Sequence, residues 1–285
     1  MMSFNGFCHD IVEEIRGYLP QEYKDAQFSI SMLKKLGTTY PALRIYFKDM
    51  IFPVFNMEEF YRRFRRGEEK EDLLHEMAEI IKRDGGRNFP LERIGSLQDA
   101  EKWLFVRVSN AEKNREYLHN IPHINILNLA LTCHVLFYQG DEGTANTIVT
   151  KELMAHFGVS CEELFEKALH NSMILYPAVM DKLYSEDSGM WMLSNTDFTY
   201  GAAALFYPGM QEKISEELKG SYYVLPSSVH ECILIPDYMN IEVSKMTDSV
   251  WEINRERAVV PASDVLSDSV YHYDHRSHSL TEIDC

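Results

Sequence analysis

Hydrophobic positions in the first third of the chain recur first with helical and then with strand spacing. An amphipathic helix is predicted over residues 4–19. Segments 27–36 and 42–55 are rich in strand formers and are joined by GTTYP, so they predict a β-hairpin. A second helical pattern covers residues 57–86, and Gly67 interrupts it.

The rest of the chain alternates between strand-like and helix-like segments. Its middle part predicts a strand at 103–110, a hairpin of 126–138 and 144–150 around a turn at 139–143, and helices at 151–157 and 161–176. Its last part predicts strands at 190–195 and 200–208, a helix at 209–220, strands at 222–225 and 230–236, a helix at 241–257 and a terminal hairpin at 268–283. The C-terminal third therefore has the predicted order ββαββα, followed by a closing hairpin.

This order predicts an α+β fold with mostly antiparallel sheets and peripheral helices. Strands joined by short turns favour antiparallel pairing, and no regular βαβ alternation is present. No GxGxxG motif follows a strand, which excludes a dinucleotide-binding fold. We expect an N-terminal α+β region at 1–180 and a C-terminal ββαββα domain at 181–285, or one continuous domain.

Charge and cysteine content narrow the class of protein. The net charge is −16, and residues 161–285 hold 8 Lys and Arg against 21 Asp and Glu. This acidic half disfavours contact with nucleic acid or an anionic membrane. The five cysteines show no metal-ligand spacing, which is typical of reduced thiols in the cytosol. Because the N terminus lacks a signal-peptide pattern and the most apolar run, 124–138, is too short to span a bilayer, we expect a cytoplasmic protein.

The segment YYVLPSSVHECILIP, residues 222–236, contains residue types that serve in nucleophilic catalysis. On a strand, Ser228, His230 and Cys232 share one face, and neighbours two apart are separated by about 6.5–7 Å. A nucleophile and its base need about 2.6–3.2 Å, and Glu231 points to the other face. A local catalytic triad therefore fails on geometry, and the segment predicts a structural hairpin with its turn at 226–228.

The alternative is a Ser- or Cys-dependent hydrolase centred on residues 228–232. In that hypothesis His230 activates Cys232 or Ser228, and a residue distant in sequence, such as Asp197 or Asn195, completes the site in space.

A second alternative is DNA binding by residues 150–169, where two short helices around Gly-Val-Ser resemble a helix-turn-helix motif. The helix that would read bases carries Glu162, Glu163 and Glu166, which repel phosphates. A helix pair that packs on a sheet explains the same pattern.

Two further clusters are candidates for ligand contacts. Four arginines form the one dense basic cluster: Arg62, Arg63, Arg65 and Arg66. They are candidates for an anion or nucleic-acid contact, but the acidic residues that follow indicate a self-paired helix surface.

The second cluster, near the C terminus, consists of His272, Asp274, His275 and His278. These residue types suit a metal ion, although their place at a hairpin tip disfavours a buried metal site.

Several segments resemble one protein family: LPSSVHECILIP, DVLSDSVYHYD, YGAAALFYPGMQEKISEEL, NIPHINILNLAL and FGVSCEELFEKALHNS. They are similar to the bacterial (Firmicutes) family called domain of unknown function 5688, and the C-terminal third matches best. The resemblance implies no activity and supplies no catalytic residues. The histidine-rich tip at 272–278 departs from the family pattern, which makes a shared metal role there doubtful.

Every catalytic arrangement in the sequence fails on spacing, charge or context. We therefore predict a non-catalytic binding or interaction module of the bacterial cytoplasm that uses no cofactor. Its partner would be an unidentified protein or small molecule that meets a sheet or cleft surface.

Overall fold

The computed structural model describes residues 2–48, 52–86, 90–140, 143–183, 188–256 and 260–283. The chain divides into two compact units, Met1–Pro90 and Leu91–Cys285. The domain boundary that the sequence predicts at 180/181 lies inside the second unit. Parts of the predicted strand 42–55, turn 139–143 and helix 241–257, and Cys285, lie outside the described residues.

The first unit is a small antiparallel sheet with helices. Its elements are α1 (Phe4–Glu14), β1 (Gln27–Lys35), β2 (Thr38–Tyr46), β3 (Phe55–Asn56), α2 (Met57–Arg65) and α3 (Lys70–Asp84). The strand order is β1-β2-β3. Ser3 caps α1 by accepting a hydrogen bond from the Gly6 N–H, and α1 buries Phe7 and Ile11 in the core of this unit.

The second unit begins with a four-stranded antiparallel sheet. Its elements are α4 (Leu97–Ala100), β4 (Leu104–Asn110), α5 (Arg115–Leu118), β5 (His123–Ile126), β6 (Leu129–Gly140), β7 (Gly143–Ile148), α6 (Lys151–Phe157) and α7 (Cys161–Leu175). The long strand β6 pairs with β4, β5 and β7. Most of β6 is buried on both faces. Val106, Leu131 and Cys133 enter the main core of the unit, and Phe105 and Leu136 pack with Tyr176 in a smaller cluster.

A six-stranded antiparallel sheet completes the second unit. Its elements are β8 (Ala178–Lys182), β9 (Trp191–Asn195), α8 (Met210–Leu218), β10 (Tyr222–Ser228), β11 (Glu231–Pro236), α9 (Val243–Arg255), β12 (Val270–Asp274) and β13 (Ser279–Ile283). The strand order is β13-β12-β10-β11-β9-β8. The predicted α+β class and the order ββαββα with a closing hairpin are confirmed.

One predicted strand of that unit is wrong. Residues Gly201–Phe206 form a 3₁₀ helix, and β9 pairs instead with β8 and β11. The run Gly-Ala-Ala-Ala lacks the branched and aromatic side chains that favour strands, and its small residues are all buried. The order ββαββα persists because β8, which the sequence pattern missed, supplies the second strand of the pair.

Candidate functional site

A strained loop follows β9 and precedes the 3₁₀ helix. Asn195 holds it closed: Nδ2 donates to the Thr199 carbonyl at 2.7 Å, and Oδ1 accepts from the N–H groups of Asp197 and Thr199 at 3.1 and 3.2 Å. Phe198 and Tyr200 have φ of 51° and 59°, values that non-glycine residues seldom adopt. Asn195 thus fixes a backbone conformation that presents Tyr200 at the start of the helix.

His230 faces this loop from the turn between β10 and β11. Its Nδ1 accepts a hydrogen bond from the Tyr200 N–H at 3.2 Å, and its ring stacks on the Tyr200 ring with centroids 5.8 Å apart. Its Nε2 lies 3.6 Å from Oδ2 of Asp264. Because Nδ1 is an acceptor, the proton of the neutral ring is on Nε2, which points to Asp264.

Asp264 is an ionised carboxylate in this setting. The contact with His230 and the hydrogen bond from Ser263, whose Oγ donates to Oδ1 at 2.9 Å, lower the pKa of Asp264 below its ordinary value. The Val229 N–H donates to the Asp264 carbonyl at 2.9 Å. Backbone and side chain therefore both join Asp264 to the β10–β11 turn.

Ser228 and Cys232 do not form a nucleophile–base pair with His230 in this geometry. Oγ of Ser228 accepts from the His230 backbone N–H at 3.0 Å, and both ring nitrogens of His230 face other groups. Cys232 is 1% exposed on β11, and burial raises the pKa of its thiol to about 12. A general base needs a free lone pair and a cysteine nucleophile needs a thiolate.

The side chains of the distant partners suggested for His230 bind other groups. The Asn195 side chain forms its hydrogen bonds with Asp197 and Thr199 of its own loop. The Asp197 carboxylate accepts hydrogen bonds from Gln139 and Thr196. The acid that reaches His230 is Asp264.

Thiol labelling distinguishes the two views of Cys232. At pH 7.5 we expect iodoacetamide to modify half-buried Cys161 in the native protein and to leave Cys232 unmodified until denaturant is added. Mass spectrometry of peptides, with and without denaturant, measures each site separately. Rapid native labelling of Cys232 would contradict the buried position and restore the hydrolase hypothesis.

Arg107 lies against the other members of this group. It projects from β4, and its guanidinium carbon is 3.5 Å from the centroid of the Tyr200 ring. Its Nε is fully buried, and among the described residues no hydrogen bond or ion pair to the guanidinium is found. Burial lowers the pKa of Arg107, and the charge of Asp264 lies within electrostatic range. We call Arg107, Tyr200, His230 and Asp264 the Arg107 site.

His134, beside Arg107, adds no charge to the site. This residue is 2% exposed; its Nε2 is 3.1 Å from Thr132 Oγ1 and its Nδ1 is 3.0 Å from Asn146 Oδ1. Burial and the positive charge of Arg107 lower the pKa of His134 well below its ordinary value. His134 is therefore neutral at physiological pH.

Arg93 provides an instructive contrast with Arg107. It stacks on Trp103, with the guanidinium carbon 3.3 Å from the ring centroid. Its Nη1, however, donates to the carbonyls of Leu136 and Phe137 at 2.7 and 3.2 Å. Both arginines lie on an aromatic ring, but the guanidinium of Arg93 is hydrogen-bonded within the fold.

The arginine cluster of the first unit is partly self-paired. Arg63 Nη2 lies 2.5 Å from both Glu68 and Glu76, and these hydrogen bonds raise its pKa. Arg62, Arg65 and Arg66 lie around the end of α2, where their side chains are partly or fully exposed. An anion contact by these three stays a prediction.

The four residues proposed for a metal each have another partner. These partners are Asp237 for His272, the backbone N–H groups of Arg276 and Ser277 for Asp274, Ser221 for His275 and Tyr273 for His278. Across the parts of the chain that the structure describes, no three His, Cys, Asp or Glu side chains are arranged to hold a metal ion. The geometry gives a metal role no support.

The second helix of the DNA-binding hypothesis, α7, packs on the four-stranded sheet. In α7, Leu164, Phe165 and Ala168 are buried, and Ser172 Oγ accepts from the Val106 N–H of β4 at 2.9 Å. The exposed face of α7 carries Glu162, Glu163 and Glu166. This face is acidic, so it does not suit a DNA groove.

Sequence reasoning found His230 but missed Arg107, Tyr200 and Asp264. One signal was available: Arg107 is the single charged residue inside the apolar strand segment WLFVRVSN. Tyr200 begins YGAAALFYP, and Asp264 begins DVLSDSVYHYD, two segments that carry the family resemblance. Their approach to one another depends on sheet topology, which a single sequence does not reveal.

Comparison with known proteins places the chain in a family. Neither curated proteins nor solved structures give a match. No helix in the described residues has both the length and the apolar character that crossing a membrane requires. A family model matches residues 4–275, nearly the whole chain, which confirms the resemblance at the level of the family and leaves its bacterial origin a prediction. The protein belongs to the family of unknown function DUF5688.

Proposed function

We propose that the protein is a non-catalytic binding module, and that the Arg107 site takes up a small ligand through an anionic group. The observation that carries this proposal is the guanidinium of Arg107, whose Nε is buried without a hydrogen-bond partner among the described residues. A buried donor without a hydrogen-bond partner costs about 1–3 kcal/mol, and charged groups with strongly perturbed surroundings cluster at functional sites. A bound oxyanion that accepts hydrogen bonds from the Nη groups would compensate the charge of the guanidinium.

The chemistry of arginine favours a carboxylate as that group. The planar guanidinium can donate two parallel hydrogen bonds to a carboxylate, and such charge-assisted pairs are strong. Stacking on Tyr200 holds the plane of the guanidinium in place before a ligand arrives. A donor that is already oriented loses less conformational entropy on binding.

The same geometry favours binding over hydrolysis. His230 accepts a backbone hydrogen bond through Nδ1 and directs Nε2 to Asp264, so it has no lone pair for activating Ser228. Cys232 lies in the core. The proposal places this module in the bacterial cytoplasm, on the basis of its scattered cysteines and its family resemblance.

Isothermal titration of the full chain with carboxylates tests the proposal. We expect at least one member of a panel of acetate, succinate, benzoate and 3-phenylpropionate to bind. Arg107→Met should weaken that binding by roughly tenfold to a hundredfold, because hydrogen bonds to a charged group contribute about 1.5–3 kcal/mol.

Arg93→Met is the matched control, since it removes another ring-stacked arginine whose hydrogen bonds are internal. It should leave carboxylate affinity unchanged in protein that circular dichroism shows to be folded. The proposed function would be refuted if no member of the panel binds, or if Arg107→Met binds carboxylates as tightly as the wild-type chain.

A further inference from the structure

We infer that the ligand of the Arg107 site is an amino acid: its carboxylate would bind Arg107, and its ammonium group would lie at Asp264. This inference rests on the proposed function and names the class of ligand. It follows from two opposite charges of one side-chain cluster, Arg107 and Asp264, that form no ion pair with each other.

Asp264 supplies the negative half of this arrangement. The Arg107 guanidinium lies on the Tyr200 ring, and that ring stacks on His230. Nε2 of His230 lies 3.6 Å from Asp264, so the two opposite charges belong to one cluster of side chains. Among the described residues, no ion pair joins Arg107 directly to Asp264. Two opposite charges that share a half-buried region normally gain energy by direct contact. A ligand with the complementary charges at two points would bridge both without requiring them to meet.

The Asp264 carboxylate retains room for a cation. His230 faces Oδ2 and Ser263 donates to Oδ1, and a carboxylate has about four lone-pair positions. Its 29% exposed side chain is accessible to a ligand. An ammonium group, with three N–H donors, could bind there and leave the contacts of His230 and Ser263 intact.

The surroundings disfavour ligands with other charge patterns. Tyr117 and Tyr176 lie within electrostatic range of Arg107, and burial raises the pKa of both, so they contribute neutral hydroxyls. Asp264 is then the negative charge that a ligand meets beside Arg107. An inorganic phosphate dianion would be repelled by Asp264, whereas an α-amino acid carries one charge of each sign on a single carbon.

Titration with matched ligands tests this inference. The twenty L-amino acids are first ranked on the full chain at pH 7.5 by their effect on thermal unfolding. The amino acid with the largest effect is then compared, by calorimetry, with its analogue that lacks the amino group and with the amine that lacks the carboxylate. For L-phenylalanine these are 3-phenylpropionate and 2-phenylethylamine. We expect the loss of the amino group, and likewise the loss of the carboxylate, to weaken binding tenfold or more.

Variants assign each charge to its residue. Asp264→Asn should weaken amino-acid binding tenfold or more and leave the deaminated acid unaffected or bound more tightly. Arg107→Met should weaken both. Asp274→Asn is the matched control, because Asp274 is another aspartate with a lowered pKa but accepts backbone N–H groups at a hairpin turn. It should change neither affinity.

The outcomes separate this inference from the proposed function. If the deaminated acid binds as tightly as the amino acid, or if Asp264→Asn has no effect in a folded protein, the amino-acid assignment is wrong and carboxylate binding stands. The amino-acid assignment is also wrong, and carboxylate binding stands, if carboxylates bind to the chain and no amino acid does. If neither class binds the wild-type chain, both proposals fail.

Discussion

Replacing Gly201 by alanine is expected to lower the free energy of unfolding of the second unit by about 3 kcal/mol. A Cβ at this position would lie 2.5 Å from the His230 carbonyl oxygen, 2.7 Å from the Asn195 backbone N and closer still to Ser194 Oγ. Two of these atoms belong to the backbone of sheet strands or turns, so they cannot move aside without disturbing hydrogen bonds. Overpacking of this kind costs about 1–3 kcal/mol and occasionally more.

Urea denaturation followed by tryptophan fluorescence measures this loss. Trp103, Trp191 and Trp251 all lie in the second unit, so the signal reports that unit. The control is Gly17→Ala, followed by circular dichroism, because a Cβ at Gly17 meets no atom within 4 Å. It should change stability by less than about 0.5 kcal/mol. A Gly201→Ala protein as stable as wild type would show that the loop does not pack as closely as described.

The second large effect is that the substitutions Arg107→Met and Arg93→Met are expected to change the free energy of unfolding in different directions. Arg107→Met is expected to leave stability unchanged or to raise it by about 1 kcal/mol or more, because it removes a half-buried charge whose Nε has no hydrogen-bond partner among the described residues. The methionine side chain can keep contact with the Tyr200 ring. Arg93→Met is expected to lower stability by roughly 1–3 kcal/mol, because the carbonyls of Leu136 and Phe137 lose their donor.

The same denaturation experiment measures both variants, without added ligand. A stabilised Arg107→Met protein that has also lost carboxylate binding would indicate that Arg107 is retained for the ligand at a cost to the fold. If instead both substitutions lower stability by the same amount, Arg107 is a structural residue, and the proposed function loses its main support.

The local order of the elements could be predicted because it depends on near neighbours in sequence. Alternating apolar positions in 222–236 predicted the hairpin that β10 and β11 form, although its turn lies at Val229 and His230 rather than at 226–228. The start of α7 has the same local basis, since Ser160 caps this helix by accepting a hydrogen bond from the Glu163 N–H, three residues further along the chain. The strand predicted at 200–208 is wrong for two reasons: its run of small residues favours strands weakly, and Gly201 packs closely against Asn195 and His230.

The sequence by itself determined the α+β class, the antiparallel pairing of neighbouring strands and the place of His230 in a hairpin. Only the tertiary structure decided which acid reaches His230, that Cys232 is buried while His230 is not, and that Arg107 lies on Tyr200. The properties that the sequence determined depend on the spacing of apolar residues along each strand, and backbone geometry fixes that spacing. The second set depends on how β4, β9 and the β10–β11 turn meet across the fold, which no local pattern encodes.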